Sequence, residues 1–309
     1  MSDGAGEIAA ARLEELLVKT SRTFALSIPE LPEPTRREVT VAYLLFRIAD
    51  TLEDATRWAP QRQFDELGRL AGLLARPSQD AARRKAREWL ADPPLDGAAY
   101  LELLAELPAV LAALESLAPA ARDLVRAHTL RTIERMASFV RRSRPLQLRD
   151  VPDLRDYCYA VAGIVGEMLT ELFLLGRPAL EAIAPSLRAG AADFGEALQL
   201  VNILKDSSSD LSEGRSYLPE GVGQDEVLAL ARGDLESAGS YVRRLQDAGA
   251  PRGVVAFTAL PVLLAWRTLE CVERRGPGAK LTRDEVAAIV RSLDNALDQD
   301  RPAVPASRP

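Results

Sequence analysis

Two short acidic segments offer the clearest chemistry in the chain. The first reads Asp50-Thr51-Leu52-Glu53-Asp54, and the second runs from Asn202 through Asp206 to Asp210. Residues four apart in an α-helix stand one turn apart on the same face. Asp50 and Asp54 therefore project side by side, and Asn202, Asp206 and Asp210 form a ladder of oxygen ligands. Two such stripes facing each other repel unless hard cations lie between them. Mg2+ takes oxygen ligands and is commonly held by one or two carboxylates together with substrate phosphates. The spacing predicts an enzyme that grips a diphosphate through Mg2+.

Most Asp and Glu in a chain that is 27% charged simply solvate an outer helix face. The flanks argue otherwise here. An apolar run from Val41 to Phe46 leads into Arg47-Ile48-Ala49, and Leu198, Leu200, Val201, Ile203 and Leu204 surround Asn202. Stripes set in such sequence are expected to be partly buried, where an unpaired charge is costly.

Basic residues accompany both segments. Arg47 lies one turn before Asp50, Arg22 sits between Ser21 and Thr23, and Lys205 and Arg215 flank the second stripe. Arginine grips phosphate oxygens with a planar fork of donors, and lysine acts as a point charge. For Lys205 alone, a surface salt bridge is at least as good an account. The segment from Tyr157 to Gly166 carries Gly163 and Gly166 at a cost in helix stability. Close helix packing would explain them, but room for a long apolar ligand is the favoured reading, with a tyrosine near enough to hydrogen-bond a departing diphosphate oxygen. The single histidine, His128, argues against His-based metal sites and against Ser-His or Cys-His chemistry.

The elements that must position these residues read as helix after helix. Leu101, Leu103, Leu104, Leu107, Val110 and Leu111 recur at helical spacing, with Pro108 predicting a kink or a new start. Period-2 strands are absent, and Pro and Gly punctuate ten or more expected helices. Pro29, Pro32 and Pro34 separate Ser21–Phe24, a helix end or loop at the mouth of the site, from the helix carrying Asp50. Pro152 and Asp153 open the helix carrying Tyr157 and Gly163. Gly214 ends the segment after Asp210, and Pro219 closes the stretch from Arg215. Without a linker or repeat, residues 1–300 are expected to form a single all-α domain, and the Pro-rich end, 301–309, to fray.

The chain has 309 residues, 47% hydrophobic, enough for a large core. A net charge of −6 argues against a nucleic-acid partner. No uninterrupted apolar stretch of about 20 residues predicts a membrane span, and the acidic start, Met1 to Glu7, lacks a signal-peptide pattern. Cys158 and Cys271 lie in apolar helical sequence, as buried thiols of a cytoplasmic protein would.

Taken together, the motifs resemble the squalene and phytoene synthases, the head-to-head isoprenyl diphosphate synthases. Five anchors stand in the family's order between Ser21 and Leu269: Ser21–Phe24, Arg47–Asp54, Tyr157–Gly166, Gln199–Asp210 and Gly214–Pro219. The resemblance implies an isoprenoid-synthase helical bundle with a central cavity for two prenyl diphosphates. One is ionised to an allylic cation, the double bond of the second attacks, and a cyclopropyl diphosphate intermediate then rearranges. It also implies Asp50 and Asp54 as Mg2+ ligands with Glu53 in support, and Asn202, Asp206 and Asp210 as the second set. Ser21, Arg22, Thr23 and Arg47 would contact diphosphate, Gln199 and Arg215 would be further substrate-binding positions, and Tyr157 would assist ionisation. Ser209 departs from the family, which places glutamate there.

Asp50–Asp54 and the stretch Ala259-Leu260-Pro261, Ala265 and Thr268-Leu269 look most like squalene synthases, which use farnesyl diphosphate and NADPH. The basic region those enzymes carry is reduced to Arg274-Arg275 and Lys280, and no Gly-rich dinucleotide fingerprint accompanies it. A dehydrosqualene or phytoene synthase needing no reductant, a terpene cyclase of the same fold and a catalytically silent relative remain alternatives. The expected state is a monomer or homodimer in the cytoplasm, with peripheral membrane contact open because substrate tails and product are greasy.

Overall fold

The computed structural model describes residues 2–142, 147–212, 216–219 and 221–305, with side chains described from residue 10 and not at 209–212. These residues group into two compact units, one comprising Met1–Pro29 with Glu33–Arg142, the other Glu30–Pro32 with Ser143–Pro309.

The first unit contains α1 (Ser2–Thr20), the short α2 (Phe24–Ser27), α3 (Thr35–Glu53), α4 (Pro60–Ala75), α5 (Gln79–Ala91), α6 (Ala98–Ala105), α7 (Leu107–Glu115) and α8 (Pro119–Arg142). Pro34 precedes the first turn of α3, where a ring that lacks an N–H breaks no intrahelical bond. Val39, Val41, Ala42, Leu44, Leu45, Ile48, Ala49 and Leu52 of α3 are all buried. A helix apolar nearly all round belongs at the centre of a unit, and α3 packs against α1, α4, α6, α7 and α8. Pro108 lies in the first turn of α7, which begins at Leu107 after a single residue beyond α6, so of the two outcomes open to it the new start is realised. The loop between α1 and α2 holds Ser21 to Thr23, as the prolines beyond it suggested.

The second unit contains α9 (Val151–Cys158), α10 (Ile164–Leu174), α11 (Ala184–Ser212), α12 (Gln224–Asp247), α13 (Arg252–Arg275) and α14 (Arg283–Asp298). Asp150 caps α9 by accepting from the Asp153 N–H at 2.8 Å, with Pro152 in the first turn. A π-helical turn at Tyr159–Gly163 joins α9 to α10, a break in register that period alone did not suggest. α11 is the centre of this unit and packs against α9, α10, α12 and α13. Thr282 and Glu285 close a capping box at the start of α14.

Among the described residues no strand forms, and the only extended pairing is a parallel bridge between Gln147 and Ser216. Val151–Leu174 and Arg252–Arg275 are long and apolar enough to cross a bilayer by composition. Their apolar windows are, however, 61% and 78% buried within the protein, as in core helices. Both cysteines are buried free thiols. The expected fraying does not begin at Arg301. Ala303 and Val304 are buried, and the Ala303 N–H donates to Gln246 Oε1 at 2.8 Å while Arg243 donates to the Pro305 carbonyl at 2.9 Å.

Candidate functional site

Each acidic motif lies toward the C-terminal end of the helix its unit packs around. On α3, carboxylate oxygens of Asp50, Glu53 and Asp54 lie within 4.8 Å of one another. Glu53 is buried, and Asp50 and Asp54 are half-buried, as the apolar flanks predicted. Asp54 ends the helix, its N–H still donating to the Asp50 carbonyl at 2.8 Å, which keeps the two carboxylates one turn apart. The donor set is all oxygen and suits a hard cation such as Mg2+.

Arg47 stands at the edge of this cluster. Its Nη1 donates to Asp50 Oδ2 at 2.5 Å and its Nε to Tyr43 Oη at 3.3 Å, with the guanidinium 5.6 Å from the Tyr43 ring centre. Tyr43 Oη in turn donates to the Thr20 carbonyl at 2.8 Å, and its ring lies 5.7 Å from that of Phe24. Ser21 Oγ accepts from the Phe24 N–H at 2.9 Å. One connected path thus ties Ser21–Phe24 to Arg47 and Asp50. Arg22 is exposed, and Ser21 and Thr23 are half-buried. Tyr43 was missed by sequence reasoning, although its place four residues before Arg47 on one helix face was the available signal.

The second motif is more open. Continuous α11 carries Gln199, Asn202 and Asp206 at helical spacing. Gln199 and Asp206 are half-buried, but Asn202 is exposed while Val201, Ile203 and Leu204 are buried. The apolar neighbours of Asn202 lie on the core side of the helix, so they do not bury it. Lys205 Nζ donates to Asn202 Oδ1 at 3.2 Å and pairs with Asp206 Oδ2 at 3.1 Å, the salt-bridge role that its sequence position allowed. The side chains of Ser209 and Asp210, and all of Gly214 and Arg215, lie outside the described residues.

Tyr157 is buried, its ring stacked on that of Tyr217 with centres 5.0 Å apart and planes at 32°. The segment carrying Tyr217 is held beside the approach to α9 by the Ser216 carbonyl, which accepts from the Leu148 N–H at 3.4 Å. Two of the expected anchors therefore meet through their tyrosines.

The glycines correct the ligand-space reading. A Cβ on Gly166 would stand 2.0 Å from the Ala191 carbonyl oxygen, and one on Gly195 2.0 Å from that of Ala162. At Gly163 it would meet the Tyr159 ring at 2.7 Å and Glu196 Oε1 at 3.2 Å. Their lack of side chains lets α11 approach α10 and the π turn backbone to backbone; it does not leave room for a substrate tail.

The chain resembles known proteins in sequence and in fold. Residues 17–224 match the family model described as squalene/phytoene synthase. A squalene synthase of Eremothecium gossypii is 28% identical over 253 residues, covering 77% of this chain and 53% of that protein. Squalene synthase ERG9 of Candida albicans is 30% identical over 216 residues, covering 67% and 45%. The chain spans about half the length of the curated relatives it matches. Among solved structures, a complex of TcSQS with the ligand E5700 superposes with a TM-score of 0.72 at 24% identity, over 92% of this chain and 85% of that one. A dehydrosqualene synthase in complex with ligand gives 0.63 at 20% identity, over 95% and 98%. The fold is the all-α isoprenoid-synthase fold of these neighbours.

Proposed function

Because the chain belongs to the squalene/phytoene synthase family, we propose that it is a Mg2+-dependent prenyltransferase joining two farnesyl diphosphates head to head, through a cyclopropyl diphosphate, to squalene with NADPH as reductant. The observation that carries this reading is the Asp50, Glu53 and Asp54 cluster with Arg47 at its edge, inside the matched region.

Asp50, Glu53 and Asp54 would hold one part of the metal set, and Asn202, Asp206 and Asp210 the other. Bound Mg2+ neutralises charge that grows on a leaving diphosphate. Arg47 offers a fork of donors to phosphate oxygens. Ser21, Arg22 and Thr23 supply hydroxyl and guanidinium donors from the loop that Tyr43 ties to Arg47, and Gln199 and Arg215 supply further contacts to substrate. Tyr157 carries a phenol able to donate to the departing diphosphate. A dry apolar surround would keep water from a carbocation, and greasy substrate and product suit a cytoplasmic protein touching a membrane surface.

One specific feature favours a second reading, a dehydrosqualene or phytoene synthase that loses a proton instead of taking hydride. The basic stretch is reduced to Arg274, Arg275 and Lys280, with no dinucleotide fingerprint to replace it.

The deciding experiment incubates the pure protein with farnesyl diphosphate and Mg2+, with and without NADPH, and identifies products by mass spectrometry. Squalene formed only with NADPH supports the first reading, and dehydrosqualene regardless of NADPH supports the second. With no C30 product and no diphosphate released, the C20 substrate is tried next; silence there leaves a catalytically inactive relative.

A further inference from the structure

Arg155 stands two residues before Tyr157 on α9 and reaches carboxylates on two other helices. Its Nη2 donates to Asp234 Oδ1 on α12 at 2.9 Å and its Nη1 donates to Asp234 Oδ2, a bidentate fork. The same Nη1 faces Glu196 Oε2 on α11 at 3.6 Å. The Asp234 and Glu196 side chains are only 12% and 11% exposed. Two poorly solvated carboxylates thus share one guanidinium.

The groups facing Glu196 are Arg155 and Cys158 from α9, Asp193 from its own helix and Asp234 from α12. The π turn adds no charge there. It brings the Gly163 backbone and Tyr159, whose hydroxyl donates to Glu167 Oε1 at 3.2 Å. Burial pushes the Glu196 carboxyl up to about 7, opposed by Arg155 and reinforced by Asp193 and Asp234. Burial also raises Asp234, against its fork with Arg155.

α9 is 8 residues long and runs directly into a π turn. So short a helix has little intrinsic stability, and a π turn interrupts its hydrogen-bond register. Its rotation must be set from outside. Residues two apart point about 200° from each other around a helix axis, so a fork gripping Arg155 on one side fixes where Tyr157 points on the other. We propose that Arg155 is a positioning residue for Tyr157, with Asp234 as its anchor and Glu196 as a reserve anchor that engages once ionised. Only the activity readout of this proposal rests on the prenyltransferase reading.

The test compares wild type with Asp234→Asn, Arg155→Lys, Glu196→Gln and the Asp234→Asn/Glu196→Gln double variant. Mg2+-dependent diphosphate release from farnesyl diphosphate is followed from about pH 5 to about pH 8.5, because losing the Asp234 charge moves Glu196 down from its wild-type position. Asp234→Asn leaves Arg155 only Glu196. Its kcat is expected to fall by about tenfold or more at the acid end, as small misplacements of reacting groups do. It should recover most of that loss at the alkaline end, with KM little changed throughout. The double variant should lose the recovery, Glu196→Gln alone should stay near wild type, and Arg155→Lys, which keeps charge but not the fork, should fall between.

The tyrosine circular dichroism difference between each form and the same form carrying Tyr217→Phe reports the stacked pair without substrate. It should weaken in Asp234→Asn at acid pH and return at alkaline pH. Wild-type kcat and spectrum in both Asp234→Asn and Arg155→Lys, or a loss indifferent to pH, overturns the proposal. If the wild type releases no diphosphate from any prenyl substrate, the enzymatic reading fails and the spectrum alone decides the positioning role. Should Asp234→Asn not fold, Arg155→Lys carries the test.

Discussion

Gly166 of α10 and Ala191 of α11 meet so closely that a Cβ on the glycine would lie 2.0 Å from the alanine carbonyl oxygen. The obstacle is backbone, so no rotamer change relieves it. Gly166→Ala is expected to destabilise the fold by about 3 kcal/mol or more, the upper end for overpacking. Gly233, inside α12, has nothing within 4 Å of its would-be Cβ, and Gly233→Ala should stabilise by about 0.4–1 kcal/mol through the unfolded chain. Urea denaturation midpoints of the two variants check this opposition of sign.

Asp50→Ala removes one carboxylate of the cluster and the ion-pair partner of Arg47, while Tyr43 still receives the Arg47 Nε. Turnover is expected to fall on the order of a hundredfold or more, as when a positioned electrostatic group is lost, with the helical circular dichroism unchanged. Asp206→Ala should behave alike. Wild-type diphosphate release by both variants would defeat the metal assignment.

Tyr43→Phe keeps the ring against Phe24 and deletes the hydroxyl between Arg47 and the Thr20 carbonyl. A stability loss of about 1 kcal/mol is the ordinary cost of one such bond. The more telling effect is on binding: Arg47 and the Ser21–Thr23 loop lose their common tether, so KM for the prenyl diphosphate should rise more than kcat falls. Steady-state kinetics with varied substrate measure the split.

Glu196 gives stability a definite pH dependence. Its folded carboxyl holds a proton up to about 7, while the unfolded chain releases it near the ordinary value of 4.5. Between those values the unfolded state binds fewer protons, so this group's contribution falls as pH rises, and levels off above the folded value. Glu196→Gln should flatten the denaturation midpoint across that window and raise it, relative to wild type, in mildly alkaline solution. An unchanged pH slope would show that Glu196 does not hold its proton in the folded protein.

What could be read from the sequence was local. The spacing of Asp50 and Asp54, the break at Pro29, Pro32 and Pro34, the interruption at Pro108, and the helix opening at Pro152 and Asp153 each depend on residues within a turn or two. What escaped depends on distant partners. Gly163 and Gly166 looked like space because Ala191 and Glu196, which occupy it, belong to another helix. The Arg155–Asp234 fork joins residues 79 positions apart, and no helical period announces it. Residues 301–305 looked loose by composition, yet Gln246 and Arg243 of α12 hold their backbone. Asn202 looked buried because its neighbours are apolar, although they occupy the opposite side of the helix.

Asp50 has one carboxylate and two claimants. Arg47 holds it in an ion pair, and on the proposed chemistry a divalent cation would take some or all of it. The cation's arrival would then turn the Arg47 fork loose, toward the diphosphate that travels with the metal. Metal and phosphate would thus be cooperative ligands, each strengthening the other by the same factor, and the Arg47–Asp50 ion pair would act as the latch that keeps the site closed to either one alone.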